Sequence, residues 1–230
     1  MRSSPFVPFL KWKEIRSRMR VLVFSPQGPR GLEPEVLKSL VNQRQCPSFD
    51  LLVTRDNPFR AMRQASQNIQ LNYEKMRQLV LTEGYEKVWI VEADTIPPED
   101  ALARLLRVPS PVASGLYAFR HCTPPVPNVA RPGVHRHSQG TQFGWEEIQK
   151  AWGETIEVSG CGMGCLLIDS KALEGFCFER PEGEDLDCLF NTYCWNQGIK
   201  QMADLGVICG HKKPDGEIIW PDRQMGFRLE

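Results

Sequence analysis

Short apolar runs alternate with segments of helical period over the first half of the chain, and that alternation limits the folds open to it. Arg20 to Phe24 leads into a Gly/Pro loop from Ser25 to Gly31. After it Pro34 opens a segment in which Val36, Leu37, Leu40 and Val41 recur at helical spacing. Phe49 to Thr54 reads as a second strand. From Arg60 to about Thr82, Met62, Ala65, Ile69, Met76, Leu79 and Val80 form one face of a long helix, which Gly84 ends. Lys87 to Val91 is a third strand, and Glu99 to Leu106 a helix started behind Pro98. The order β-α-β-α-β-α predicts a three-layer α/β/α, Rossmann-like domain with a mostly parallel central sheet, whose ligands gather beyond the carboxyl ends of the strands.

Further on, Val112 to Phe119 continues as a strand, and residues 121–152 lose periodicity while gathering prolines and glycines. That stretch is expected to be a long flexible loop or lid. Gly160, Gly162 and Gly164 precede an apolar strand, Cys165 to Ile168, and allow close backbone approach to a ligand without matching a dinucleotide fingerprint. Residues 183–197 read as a helix and 199–208 as a final strand region, with His211 just beyond. The expected organisation is a basic and aromatic extension at 1–19 followed by one domain at 20–230.

Lysine plus arginine equals aspartate plus glutamate at 28 each, so no overall field draws the protein to nucleic acid. Its eight cysteines contain no Cys-x-x-Cys pair and read as small core residues of a reducing compartment, with zinc held by Cys161 and Cys165 the minority reading. Without an apolar run near the roughly 20 residues that span a bilayer, a cytoplasmic location is expected. Residues 1–20 nevertheless interleave Arg2, Lys11, Lys13, Arg16, Arg18 and Arg20 with Phe6, Phe9, Leu10 and Trp12. This segment is either a peripheral contact for an anionic membrane or partner, or a solvated extension.

The chemistry centres on Val88 to Pro98, an apolar run interrupted by Glu92 and Asp94 and stopped by two prolines. Strand alternation would put both carboxylates on one side, where they could hold Mg²⁺ or Mn²⁺ whose shell a substrate phosphate completes. The plainer reading makes Asp94 a turn former. Glu184, Asp185 and Asp187 fall at a predicted helix start, as a general base or as acids the helix dipole favours. His211 could reach a metal held at a neighbouring strand end; Lys212 and Lys213 could meet phosphate or lie on a solvated face. A zinc site from His121, His135, His137 and a cysteine lacks regular ligand spacing.

The order of these parts resembles the GT-A fold nucleotide-sugar glycosyltransferases, especially the family 2-like enzymes of bacteria and phages, from about Arg20 to His211. The resemblance is carried by Gly84-Tyr85, Glu92-Ala93-Asp94 with Pro97-Pro98, Ser114 to Tyr117 with Arg120, Gly160 to Gly164, Glu184-Asp185, and Asp204 followed by His211. It implies transfer of a sugar from a nucleotide-diphosphate donor, the UDP-sugars favoured, to an acceptor hydroxyl with inversion. Asp94 would be the leading ligand of Mn²⁺ or Mg²⁺, with His211 and Glu92; Glu92 departs from the family's aspartate. Asp185 would be the base, with Glu184 or Asp187 orienting the acceptor. Ser25, Pro26, Arg55, Asp56, Asn72, Arg77, Glu92, Ala93, Asp94, Ser114, Gly115, Gly162 and Met163 are the expected nucleotide contacts. Two other functions compete: a nucleotidyltransferase using Gly28, Arg30 and Gly31 on phosphate, and a nucleotide- or sugar-binding module without turnover.

Overall fold

The computed structural model describes residues 19–27, 31–54, 62–133, 141–178 and 185–230, the side chains of 62–68 excepted. Strands β1 (Val21–Pro26), β2 (Phe49–Thr54) and β3 (Lys87–Val91) alternate with helices α1 (Pro34–Val41) and α2 (Met62–Thr82). Next come β4 (Thr95–Ile96), α3 (Ala101–Leu105), β5 (Val112–Leu116), β6 (Ala118–Phe119), β7 (Val126–Pro127), β8 (Val129–Ala130) and α4 (Trp145–Lys150). The remainder comprises β9 (Thr155–Val158), β10 (Gly160–Cys161), β11 (Cys165–Asp169), α5 (Ser170–Leu173), α6 (Leu186–Asn196), β12 (Gln201–Ile208), β13 (Gly210–Lys212), β14 (Ile218–Asp222) and β15 (Gly226–Leu229).

Seven strands form the central sheet in the order β2-β1-β3-β11-β5-β12-β9. β1 runs parallel to β2 and β3, and β5 parallel to β12, while β11 and β9 are antiparallel to their neighbours. Two reversals across β11 restore the direction, so β1, β2, β3, β5 and β12 all point one way. The mostly parallel sheet read from the sequence is therefore present, with one antiparallel strand in its middle.

Alternate residues of the central strands face opposite layers, as a strand period of two requires. Leu22, Phe24, Val88 and Ile90 pack with Tyr73, Met76 and Val80 of α2 and with Phe190 and Cys194 of α6. Val21, Val23, Trp89 and Val91 pack with Val36 and Leu40 of α1 and with Leu102 and Leu105 of α3. Helices thus cover both faces, which explains why these strands are continuously apolar instead of alternating. α1 starts at Pro34, whose missing N–H lies where the helix has no use for one. α2 is followed by Gly84 at φ +69°, a left-handed turn that favours glycine.

Two regions depart from the sequence reading. Much of 121–152 is ordered by short pairings: β6 with β7, β8 with β10, a bridge from Ala130 to Gln142, and α4. Arg131 grips Glu147 across it, and Glu147 also accepts the Gly144 N–H at 2.7 Å. Residues 134–140 lie outside the described residues. Beyond β12 the sequence suggested little, yet β13, β14 and β15 join β4 in a second antiparallel sheet, ordered β15-β14-β13-β4. This small sheet brings the two ends of the candidate site together.

Candidate metal and phosphate site

β3 ends at Val91, so Glu92 and Asp94 lie in the turn after it and not on the strand. The Thr95 N–H donates to the Glu92 carbonyl at 3.0 Å and closes that turn. The inference that strand alternation aligns the two acids is therefore corrected; a tight turn holds them together. β4 leaves the turn and pairs with β13, setting Thr95 opposite His211 and Ile96 opposite Gly210. The Lys212 N–H donates to the Asp94 carbonyl at 2.9 Å. A loop acid and a distant histidine become neighbours through main-chain pairing.

His211 Nε2 stands 3.7 Å from Asp94 Oδ1, with the two side chains 7% and 15% exposed. On its other edge, His211 Nδ1 lies 2.8 Å from the Ala118 carbonyl oxygen. A carbonyl only accepts, so Nδ1 carries the proton, and in the neutral ring the lone pair of Nε2 faces the carboxylate. Burial pushes the His211 pKa below its ordinary value, partly opposed by the Asp94 charge. The gap of 3.7 Å is too long for a hydrogen bond. Adjacent donors each about 2.1 Å from one octahedral divalent ion sit about 3 Å apart, so this pair would share a cation after closing by less than an ångström. The backbone carbonyl on Nδ1 is the kind of partner that orients a metal-binding imidazole.

Arg120 completes the group. Its Nη1 donates to Asp94 Oδ2 and, at 2.9 Å, to the Lys212 carbonyl. The Arg120 side chain remains 30% exposed. Lys212 Nζ is held by Glu33 at 3.1 Å and Glu35 at 2.9 Å, and Lys213 pairs with Glu217, so both lysines offered to phosphate are engaged within the chain.

Glu92 sits on the inner side of the turn. It accepts from the Tyr73 hydroxyl at 3.4 Å, and burial raises its pKa to about 7, reinforced by the charges of Asp94 and Asp187. Although its side chain keeps some solvent accessibility, the carboxyl is packed deeply enough that desolvation outweighs the attraction of Arg120. Glu92, Asp94 and His211 do not form a three-ligand group. Among the described residues, such a group within 4.8 Å is Asp185, Asp187 and Cys188 at the start of α6. Asp185 is the exposed N-cap residue there, and the charge of Asp187 reaches Glu92, Tyr73 and Tyr117. Asp187, two residues beyond the predicted base, is therefore within electrostatic reach of the turn that carries Glu92.

Tyr117, which closes the stretch Ser114 to Tyr117 in the sequence, received no role of its own there. Its hydroxyl accepts the Gly164 N–H at 3.0 Å, while the Gly164 carbonyl accepts the Glu92 N–H at 3.0 Å. Its ring meets His211 edge-on, centroids 5.3 Å apart. Asn128 fixes the backbone beneath, accepting from Tyr117 N at 2.9 Å and donating to the Gly115 carbonyl at 3.0 Å. The space beside Gly162 and Gly164 is filled by Tyr117, so these glycines permit internal packing where an approaching ligand was expected. Met163 is buried with them.

The other expected nucleotide contacts divide. Ser25 and Pro26 end β1 beside the turn and are buried, with Ser25 Oγ lacking a hydrogen-bond partner among the described atoms. Ala93 lies in the turn itself, where its carbonyl accepts from Glu33 N at 3.0 Å. Ser114 and Gly115 are interior to β5, and a Cβ on Gly115 would meet Val207 at 2.9 Å and the sulfurs of Cys165 and Cys209 at 3.1 Å. Asn72 is buried on α2. Arg77, readable in the sequence equally as a polar residue of an amphipathic helix, pairs with Glu74 at 2.9 Å and donates to the Leu173 and Glu174 carbonyls, tying α2 to the end of α5. Asp204 is held by Arg104 through two bonds at 2.8 and 3.0 Å and braces β12. Cys161 and Cys165 are buried thiols outside any such ligand group among the described residues. Arg55, Asp56, Glu184, Gly28, Arg30, His135, His137 and residues 1–18 lie outside the described residues.

No protein-family model matches the chain, and no curated protein matches it. Among solved structures, A197 from STIV shares the fold, with a TM-score of 0.59 and 18% identity over 92% of this chain and 93% of that one. The inositol-1-phosphate CTP transferase from T. maritima aligns with a TM-score of 0.45 and 12% identity over 80% of this chain and 84% of that one, too loosely to carry an argument. At such identities the likeness to A197 establishes a common mixed α/β architecture and nothing about activity. Among the described residues no helix is long and apolar enough to cross a membrane.

Proposed function

We propose that this chain is a divalent-cation-dependent glycosyltransferase, moving a sugar from a nucleoside-diphosphate donor, UDP-sugars favoured, to an acceptor hydroxyl with inversion. The observation that supports this most is the pair of donors, Asp94 Oδ1 and His211 Nε2, facing each other across 3.7 Å at the carboxyl end of a parallel strand. In open α/β sheets that end is where nucleotides are received.

Asp94 and His211 would hold the ion, which when bound supplies Lewis-acid neutralisation of the departing diphosphate. Asp185, exposed at the start of α6, takes the proton from the attacking hydroxyl, and Asp187 beside it orients the acceptor. Glu92, turned inward beside Tyr73, accepts from a ribose hydroxyl when ionised. Arg120, paired with Asp94, would supply positive charge to the departing diphosphate.

The test is a thermal-shift screen of nucleotide-sugars with Mn²⁺, followed by product analysis with and without a hydroxyl acceptor. A ligand that binds only the folded state raises the melting temperature. Stabilisation by one donor class together with sugar release supports the reading. Pyrophosphate release from nucleoside triphosphates would replace it with nucleotidyl transfer, and binding without cleavage of any donor would replace it with a binding module.

A further inference from the structure

The Asp94 carboxylate already has a cation, and the cation is built into the chain. Arg120 Nη1 donates to Asp94 Oδ2 and to the Lys212 carbonyl, while Oδ1 of the same carboxylate faces His211. Of the adjacent lysines, Lys212 is engaged by Glu33 and Glu35 and Lys213 by Glu217. Arg120 therefore balances the charge of the turn when nothing is bound. A divalent ion taken up by Asp94 and His211 would sit within a few ångströms of the guanidinium. At that distance two like charges oppose each other by an amount that partial burial increases.

We infer that Arg120 and a divalent cation exchange at Asp94, and that the released guanidinium is taken up by the diphosphate of the bound nucleotide. This rests on the functional reading above and adds a residue to it. Three features favour exchange over a static ion pair. Arg120 is 30% exposed, so its side chain has room to leave. It follows directly after β6 and is half-buried, outside the packed apolar clusters. A guanidinium fork also matches phosphate oxygens in a bidentate way that a carbonyl and a single carboxylate oxygen do not. The free site is then guarded against adventitious metal and becomes receptive when a diphosphate arrives with the ion.

Mn²⁺ binding, read by the loss of free-ion electron paramagnetic resonance signal and by calorimetry, tests this without any turnover. The comparison is wild type, Arg120→Gln and Arg120→Lys, each with and without UDP. Exchange predicts that Arg120→Gln binds Mn²⁺ alone about tenfold more tightly than wild type and UDP with Mn²⁺ about tenfold more weakly, a coupling of ordinary size. Arg120→Lys keeps the charge, so its affinity for Mn²⁺ alone stays near wild type while UDP binding falls. If Arg120→Gln leaves Mn²⁺ affinity unchanged or weakens it, the exchange is wrong and the metal site stands. If neither wild type nor Arg120→Gln binds Mn²⁺ with or without UDP, the metal reading fails and takes the exchange with it. Circular dichroism and melting of both variants confirm that each is folded when measured.

Discussion

Tyr117 stands against His211 edge to face, at an interplanar angle of 88°, and with its hydroxyl fills the space beside Gly162. Packing of the glycine-rich segment and placement of the imidazole are thus one arrangement. Gly162→Ala would drive a methyl group into the phenol oxygen and should cost about 1–3 kcal/mol, as overpacking does. Tyr117→Phe alone leaves the buried Gly164 N–H without its acceptor, at about 1–3 kcal/mol. Because removing the oxygen also relieves the clash, the double variant should be less destabilised than the two losses added. Urea denaturation of all four proteins measures that coupling.

Asp94→Ala and His211→Ala should each abolish stabilisation by a nucleotide-sugar with Mn²⁺ and reduce turnover by roughly a hundredfold or more, since Lewis-acid assistance is worth several kcal/mol. Differential scanning fluorimetry with and without Mn²⁺ checks the first effect, and product formation the second. A fully Mn²⁺-responsive Asp94→Ala protein would refute the assignment.

Arg77→Gln should behave in the opposite manner. Its guanidinium ties α2 to carbonyls at the end of α5, so the variant should melt at lower temperature, by an amount on the order of 1–2 kcal/mol, while nucleotide affinity is unchanged. Calorimetric titration with UDP and Mn²⁺ distinguishes this from a nucleotide contact.

Glu92 predicts the pH dependence of the metal-free protein. Its folded-state pKa is raised from 4.5 to about 7, so between those values the folded chain binds a proton that the unfolded chain has lost. The stabilising contribution is complete below about pH 4.5 and disappears as pH rises through about 7. Glu92→Gln, which cannot ionise, should therefore melt higher than wild type at pH 8 and close to it at pH 5. Parallel melting curves across that range would count against the buried, protonated carboxyl.

Much of the large sheet could be read from the chain because its central strands are buried on both faces. Val21 to Phe24 and Val88 to Val91 admit no polar residue, and the helices between them keep their apolar period. The site was legible in its residue types, since Asp94 and His211 each follow a strand, but their meeting was not. It depends on β4 pairing with β13, and strands of two and three residues leave almost no periodic trace. The small second sheet was hidden for a similar reason, its strands being short and separated by turn residues. Ile218 to Trp220 and the turn in which Asp222 accepts from Gln224 N and Met225 N were the available signals. Arg120 and Tyr117 act through partners far along the chain, and no local pattern announces a contact between Arg120 and the turn at Asp94.

Gly210 lies so close under Trp220 that a Cβ there would meet the indole at 2.7 Å, and His211 leaves the same strand toward Asp94. The large sheet is complete at Ile208, just before the strand that carries the imidazole. A chain deprived of β14 would keep His211 opposite Thr95 and lose its second neighbour, Ile219. The imidazole is thus framed by two strands that lie more than a hundred residues apart in the chain.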